Sequence, residues 1–253
     1  MTVLDRFRLD GKTVVVTGAS SGLGVAIAQA CAEAGGDLVL AARRAEKLTA
    51  TADLVEAAGG KALTVPTDIS DPQQVQDMID AAMAHYGHID VLVNNAGVNS
   101  VAAATRETAE DFRAVVDTNL HGSFWAAQAC GRVMRPGSSI VNIASTSAFT
   151  TSQLPQAAYS ASKAAIVGLT RELASQWGRR KGIRVNAVAP GAFRTEMTES
   201  GLSEHVDMVL RRIVLDRIGD PEELAAAVVW LASDAASYVT GQTIIVDGGF
   251  TIT

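Results

Sequence analysis

The chain has 253 residues, 48% of them hydrophobic and 19% charged, with a net charge of −6 at neutral pH. That apolar content supports a sizeable core and excludes a disordered chain. The acidic balance, in which the basic clusters Arg43-Arg44 and Arg179-Arg180-Lys181 are short and scattered, argues against nucleic-acid or anionic-membrane partners.

Residues 1–12 carry Asp5, Arg6 and Arg8 and no apolar run, and no later stretch approaches about 18 uninterrupted apolar residues. Neither a signal peptide nor a membrane span is expected, and a cytoplasmic location is the expectation. From there, short β-branched runs alternate with longer Ala-rich runs of helical period. Strands are predicted over 13–17, 38–41, 62–65, 91–94, 139–144, 184–189 and 243–246, and helices over 22–34, 45–58, 72–86, 109–134, 155–177 and 221–233. The strand runs are apolar on both faces, as buried parallel strands are. Regular βαβ alternation predicts an α/β fold: a single-domain, Rossmann-like, doubly wound parallel sheet of about seven strands with helices on both faces, over residues 1–253. Within it, 193–220 holds charged and apolar residues at helical spacing and reads as a helical substrate lid. Cys31 and Cys130, each in an Ala-rich helix, read as small buried hydrophobes.

The chemistry-bearing residues fall at the carboxyl ends of strands, where open α/β sheets bind ligands. The first strand runs into Thr17-Gly18-Ala19-Ser20-Ser21-Gly22-Leu23-Gly24 and then a helix. Glycines let backbone N–H groups approach a pyrophosphate, and the helix N-terminus adds partial positive charge. The spacing is GxxxGxG, with the strand before and helix after it that a dinucleotide site requires. The second strand ends at Ala42, where an acidic residue would bond the 2′-hydroxyl of NAD, and Arg43-Arg44 follows. Arginine pairs a 2′-phosphate. NADP(H) is therefore expected over NAD(H), with Arg43 the favoured contact and Ser20 or Ser21 assisting. Asp68, at the end of the third strand, has two readings: acceptor for an adenine amino group, or turn residue before Asp71-Pro72. Asn94 and Asn95, before Ala96-Gly97, either tie strand ends together or line the cofactor cleft.

Tyr159 and Lys163 stand four apart in a helical stretch and share one face. A free phenol titrates at about 10; a neighbouring ammonium favours the phenolate and makes the tyrosine a usable general acid/base. Ser145 ends the fifth strand, where a hydroxyl bonds a reacting oxygen, and the adjoining Thr146 and Ser147 stand as alternatives. Asn119 falls inside a predicted helix, where Asn is a poor helix former. An amide that interrupts the helix or holds a water explains it. The histidines at 85, 88, 121 and 205 are dispersed, so no metal site is expected. Ser145 lacks the GxSxG elbow of a hydrolase.

Together TGASSGLG (17–24), NNAG (94–97), Asn119, Ser145, YSASK (159–163), Pro190-Gly191 and Thr240-Gly241-Gln242 resemble the motif set of the short-chain dehydrogenase/reductase family. The resemblance runs over nearly the whole chain, from Gly11-Lys12 to Asp247-Gly248-Gly249. It implies an oxidoreductase that transfers hydride between NADP(H) and a carbonyl or secondary alcohol. It implies Tyr159 as proton donor or acceptor, Ser145 holding the substrate oxygen, Lys163 on the nicotinamide ribose and tuning Tyr159, and Asn119 supporting a water-linked proton relay. For the cofactor it implies Gly18, Ser20, Ser21, Gly22, Leu23 and Gly24 in the turn, Arg43, Asp68 and Ile69 around the adenosine, and Asn95, Ala96 and Gly97 after the fourth strand. Tyr159, Lys163, Pro190, Gly191 and Thr195 complete that set towards the nicotinamide. A homotetramer or homodimer, packed through the helices carrying Asn119 and Tyr159, is implied as well.

Substrate walls are expected from Asn99, Ser147, Phe149, Gln153, Phe193, Met197 and Met208. Sugar acids, polyols, 3-oxoacyl thioesters, steroids and small ketones all stay open. A catalytically silent nucleotide-binding regulator or scaffold is the alternative, and the presence of all four reacting residues argues against it.

Overall fold

A computed structural model describes residues 2–194 and 209–253 of the chain. Its strands are β1 (Thr13–Thr17), β2 (Asp37–Ala42), β3 (Ala62–Pro66), β4 (Val91–Asn94), β5 (Ser139–Ile143), β6 (Arg184–Pro190) and β7 (Thr243–Val246). They form one sheet, parallel throughout, in the order β3-β2-β1-β4-β5-β6-β7. The helices between them are α1 (Leu23–Glu33), α2 (Ala45–Ala57), α3 (Pro72–Tyr86), α4 (Ala109–Val116), α5 (Ser123–Val133), α6 (Ala157–Lys181) and α7 (Pro221–Ala232).

Side chains alternate across a strand, and the core divides accordingly. Val14, Val16, Leu38 and Leu40 pack on one face with Ile27 of α1, Leu48 of α2 and Leu224 of α7. Val15, Val39, Leu92 and Ile140 pack on the other with Met78 of α3, Ala127 of α5 and Leu173 of α6. Cys31 and Cys130 lie in these two opposite layers, both buried and unpaired. Burial pushes the Cys31 thiol up to about 12 and raises that of Cys130 as well.

Several helix ends have local causes. Asp71 caps α3 by accepting from the N–H groups of Gln73 and Gln74, Pro72 follows it, and Gly87 closes the helix in the left-handed region. Asp220 and Glu223 form a reciprocal capping box on α7. Two elements depart from the sequence reading. The helix predicted over 109–134 is interrupted by a π-helical turn, Asp117–Gly122, between α4 and α5. There the Ser123 hydroxyl donates to the Asn119 carbonyl at 2.8 Å, and the Asn119 side chain leaves the helix to bond the Val98 backbone. The helix predicted over 155–177 starts at Ala157 and runs on to Lys181, where Gly182 at φ 66 ends it.

Strand order reverses between β1 and β4, which opens a crevice at the carboxyl ends of the strands. Of the predicted lid, 195–208 lie outside the described residues. Its base is closed by a bridge between Phe193 and Gly219. No helix among the described residues is long and apolar enough to cross a membrane.

Candidate active site

A cleft of about 740 Å³ runs along the carboxyl ends of the strands. At its β1–β3 end the Gly18 turn, at φ 69, is drawn against β4: the Asn95 Nδ2 donates to the carbonyls of Thr17 and Gly18 at 3.0 and 3.2 Å. Thr17 answers by accepting from the N–H groups of Asn95 and Ala96, both at 3.1 Å. The Asn95 amide therefore ties strand ends together while the residue also lines the cleft. A Cβ on Gly24 would overlap the Gly18 carbonyl, so the turn closes directly onto the first turn of α1. The leading N–H groups of that helix have no intrahelical acceptor, and Ser20, Ser21, Gly22 and Leu23 line the cleft around them.

Charge at this end suits an anion. Arg43 and Arg44 both line the cleft, and Ala42 puts no carboxylate beside them. Arg44, which sequence reading passed over in favour of its neighbour, is the one that bonds the turn: its Nη2 donates to the hydroxyls of Ser20 at 3.2 Å and Ser21 at 3.1 Å. Asp68 accepts from the Ser70 N–H and hydroxyl through one oxygen, while the capping of α3 falls to Asp71. Ile69, 6% exposed, lines the cleft beside Asp68. A glycine cradle, a helix N-terminus, two arginines and an apolar slot fit an adenine dinucleotide.

The other end is formed by β4, β5 and α6. One turn of α6 separates Tyr159 from Lys163, whose ammonium lies 5.7 Å from the phenol ring centroid and donates to the Ile143 carbonyl at 2.7 Å. Burial pushes the lysine down to about 8. Burial also raises the Tyr159 phenol, and a hydrogen bond with Ser145 pulls in the opposite direction. That contact separates the three adjacent hydroxyls: Ser145 meets the phenol, Ser147 accepts from Gln156, and Thr146 is buried. Asn119, 1% exposed, accepts from the Val98 N–H at 2.8 Å and donates to the Val98 carbonyl and the Ser162 hydroxyl, both at 3.0 Å. Ser162 in turn donates to the Tyr159 carbonyl at 2.7 Å. Ala96, Gly97, Pro190 and Gly191 line the cleft between its two ends, and Thr195 lies outside the described residues.

Of the expected substrate walls, Asn99, Ser147 and Phe193 line the cleft. Phe149 and Gln153 do not, and Met197 and Met208 lie outside the described residues. Ser152, Leu154 and Gln156 take their place, unsignalled because an ordinary polar loop reads the same way. No group of three or more candidate metal ligands occurs among the described residues.

A family profile described as enoyl-(acyl carrier protein) reductase matches residues 18–251. Gluconate 5-dehydrogenase of Gluconobacter oxydans is 39% identical over 255 residues, spanning 98% of each chain. A short-chain type dehydrogenase/reductase from Mycobacterium marinum has the same fold at a TM-score of 0.95, with 40% identity over 100% of both chains. A structure from Agrobacterium tumefaciens with bound NADP gives 0.89 at 38% identity, covering 98% of this chain and 99% of that one. A 7α-hydroxysteroid dehydrogenase complexed with NADH gives 0.93 at 34% identity over 98% of both. The chain belongs to the short-chain dehydrogenase/reductase family and is a nicotinamide-dependent oxidoreductase of the alcohol–carbonyl pair.

Proposed function

We propose that the chain transfers hydride between NADP(H) and a carbonyl or secondary alcohol, with Tyr159 as general acid/base. The observation that carries this reading is the meeting of Tyr159, Ser145 and Lys163 at one end of a cleft whose other end holds Arg43 and Arg44. The dinucleotide, when bound, supplies or takes the hydride. The turn from Gly18 to Gly24 and the α1 N-terminus hold its pyrophosphate, Arg43 and Arg44 its 2′-phosphate, and Asp68 and Ile69 its adenine. Relatives of this fold hold either NADP or NADH, so the choice here rests on the arginine pair.

In reduction the Tyr159 hydroxyl donates its proton to the carbonyl oxygen while the Ser145 hydroxyl donates a hydrogen bond to the same oxygen. In oxidation Tyr159 takes the alcohol proton. Burial keeps the phenol protonated at neutral pH, the form that reduction needs. Lys163, pushed down to about 8, is still mainly cationic there and favours the phenolate once the proton has left. Asn119 and Ser162 are positioning residues that pin the Tyr159 turn of α6 to the Val98 loop.

The test is a panel of carbonyls and alcohols followed at the nicotinamide absorbance, with Tyr159→Phe beside the wild type. The variant is expected to bind NADPH normally and to lose turnover by about 10³-fold. Full turnover in the variant overturns the role of Tyr159, and an inert wild type overturns the reading altogether.

A further inference from the structure

The reacting end of the cleft holds a second polar cluster that the proton transfer does not use. Gln156, three residues before Tyr159, is 8% exposed. Its Nε2 donates to the Ser147 hydroxyl at 3.0 Å and the Ser152 hydroxyl at 3.1 Å, and its Oε1 accepts from the Asn99 Nδ2 at 2.9 Å. One buried amide thus joins the loop after β4, the loop after β5 and the entry to α6. All four residues line the cleft with Ser145 and Tyr159.

The partners of Gln156 have capacity left over. A serine that accepts a hydrogen bond keeps its own hydroxyl proton to donate. Among the described residues neither the Ser147 nor the Ser152 hydroxyl donates to a protein group, and the Asn99 Oδ1 accepts from none. The wall therefore offers two hydroxyl donors and one amide acceptor, held in place by a hub whose two N–H donors are both committed. Among the described residues, Leu154, Phe193 and Ile218 add apolar surface to this end.

We infer that this wall reads hydroxyl groups on the carbons next to the reacting carbon, so that the substrate is a polyhydroxylated carbonyl compound or its alcohol, of sugar or polyol type. The inference rests on Tyr159 and Ser145 being the reacting pair. An acyl chain or a steroid laid on the wall would strip water from Ser147, Ser152 and Asn99 and return no hydrogen bond. A row of hydroxyls, each both donor and acceptor, satisfies such a mixed set. Its C–H edges then meet the apolar residues. Sites built to bond a substrate hydroxyl reject the analogue that lacks it far more strongly than apolar pockets reject a change of size.

The experiment compares L-erythrulose with 2-butanone, which share a four-carbon ketone skeleton, and with an acetoacetyl thioester, all reduced with NADPH. Wild type is expected to favour erythrulose over butanone in kcat/KM by about 100-fold or more. A Ser147→Ala/Ser152→Ala variant should shrink that ratio about tenfold, chiefly through the KM for erythrulose. A preference for butanone or the thioester overturns the inference. So does a double variant that slows both ketones alike and leaves the ratio in place, because that marks a structural role. Reduction of butanone or the thioester without erythrulose sinks this inference alone, whereas an enzyme inert to all three takes the reading of Tyr159 with it.

Discussion

The two ends of the cleft are built in opposite ways. At the β1–β3 end Ser20, Ser21, Arg43, Arg44 and Asp68 are exposed or half-buried, and the close fit is between backbones at Gly18 and Gly24. At the β4–α6 end Asn119, Ser145, Gln156 and Lys163 are each less than a tenth exposed and hydrogen-bonded. A hydrated anion needs approach and charge, so backbone geometry matters most where it binds. A proton transfer needs fixed dipoles in a dry site, so side chains matter most there. Mutations of equal size should therefore act through different physics at the two ends.

A paired glycine substitution breaks this contrast or upholds it. Gly24→Ala drives a Cβ into the Gly18 carbonyl and to 2.7 Å from the Asn95 Nδ2, so backbone must move. It should cost about 3 kcal/mol in urea unfolding and abolish NADPH binding. Gly97→Ala brings its Cβ no nearer than 3.3 Å to the Asn119 Oδ1 and 3.5 Å to the Lys163 Nζ, both side-chain atoms. It should cost less than about 1 kcal/mol and lower kcat instead. Equal stability losses in the two variants would erase the distinction.

Lys163 gives the reacting end a pH signature. Folding lowers this lysine from 10.5 to about 8. Between those values the unfolded chain holds a proton that the native chain has released, so stability attributable to Lys163 rises with pH across that window. The native burden of the buried charge is fully present below pH 8. Relative to Lys163→Met, wild type should gain roughly 3 kcal/mol between about pH 8 and 10.5. Pairing each measurement with the variant cancels the opposing effect of Cys31 and Cys130, whose raised thiols lower native stability as pH climbs past 9. A flat difference would mean that Lys163 titrates as an exposed lysine.

Thr17 stands where the two ends join. It is 2% exposed, and its hydroxyl accepts from the N–H groups of both Asn95 and Ala96. Thr17→Val keeps the shape and strands both donors, at a cost of about 2 kcal/mol, whereas Thr17→Ser should stay within about 1 kcal/mol of wild type. If valine and serine behave alike, packing rather than hydrogen bonding holds the junction.

Sequence legibility followed the same divide. The strands were readable because both faces are apolar and glycines punctuate them, and Tyr159 and Lys163 because four residues make one helical turn. The hub at Gln156 was hidden: its partners come from three separate segments, and nothing local marks a polar residue before a helix as buried. Asn119 was flagged by poor helix propensity, yet the π-helical turn depends on Val98 and Ser123, which only the fold brings to it. Phe149 and Gln153 are expected in the wall because they fall in the loop after the fifth strand. Phe149 is instead 48% exposed, and Gln153 sits at φ 64, so the loop presents Ser152 and Leu154 to the cleft.

The choice between Arg43 and Arg44 was equally closed to sequence, because adjacent side chains at a strand end leave in different directions. Arg44 reaches Ser20 and Ser21, the hydroxyls beside the α1 N-terminus, whereas Arg43 lines the cleft without that contact. Removing Arg44 should therefore weaken NADPH by about tenfold, or about 1.4 kcal/mol, in a fluorescence titration. NADH should change by less than about twofold, because it lacks the phosphate that the proposed function gives the guanidinium to pair. Unfolding free energy should move by less than about 0.5 kcal/mol, since an exposed arginine contributes little to stability. Equal weakening of both dinucleotides would assign Arg44 to general attraction of the pyrophosphate. A loss seen only in Arg43→Ala would return the 2′-phosphate to the residue that sequence favoured.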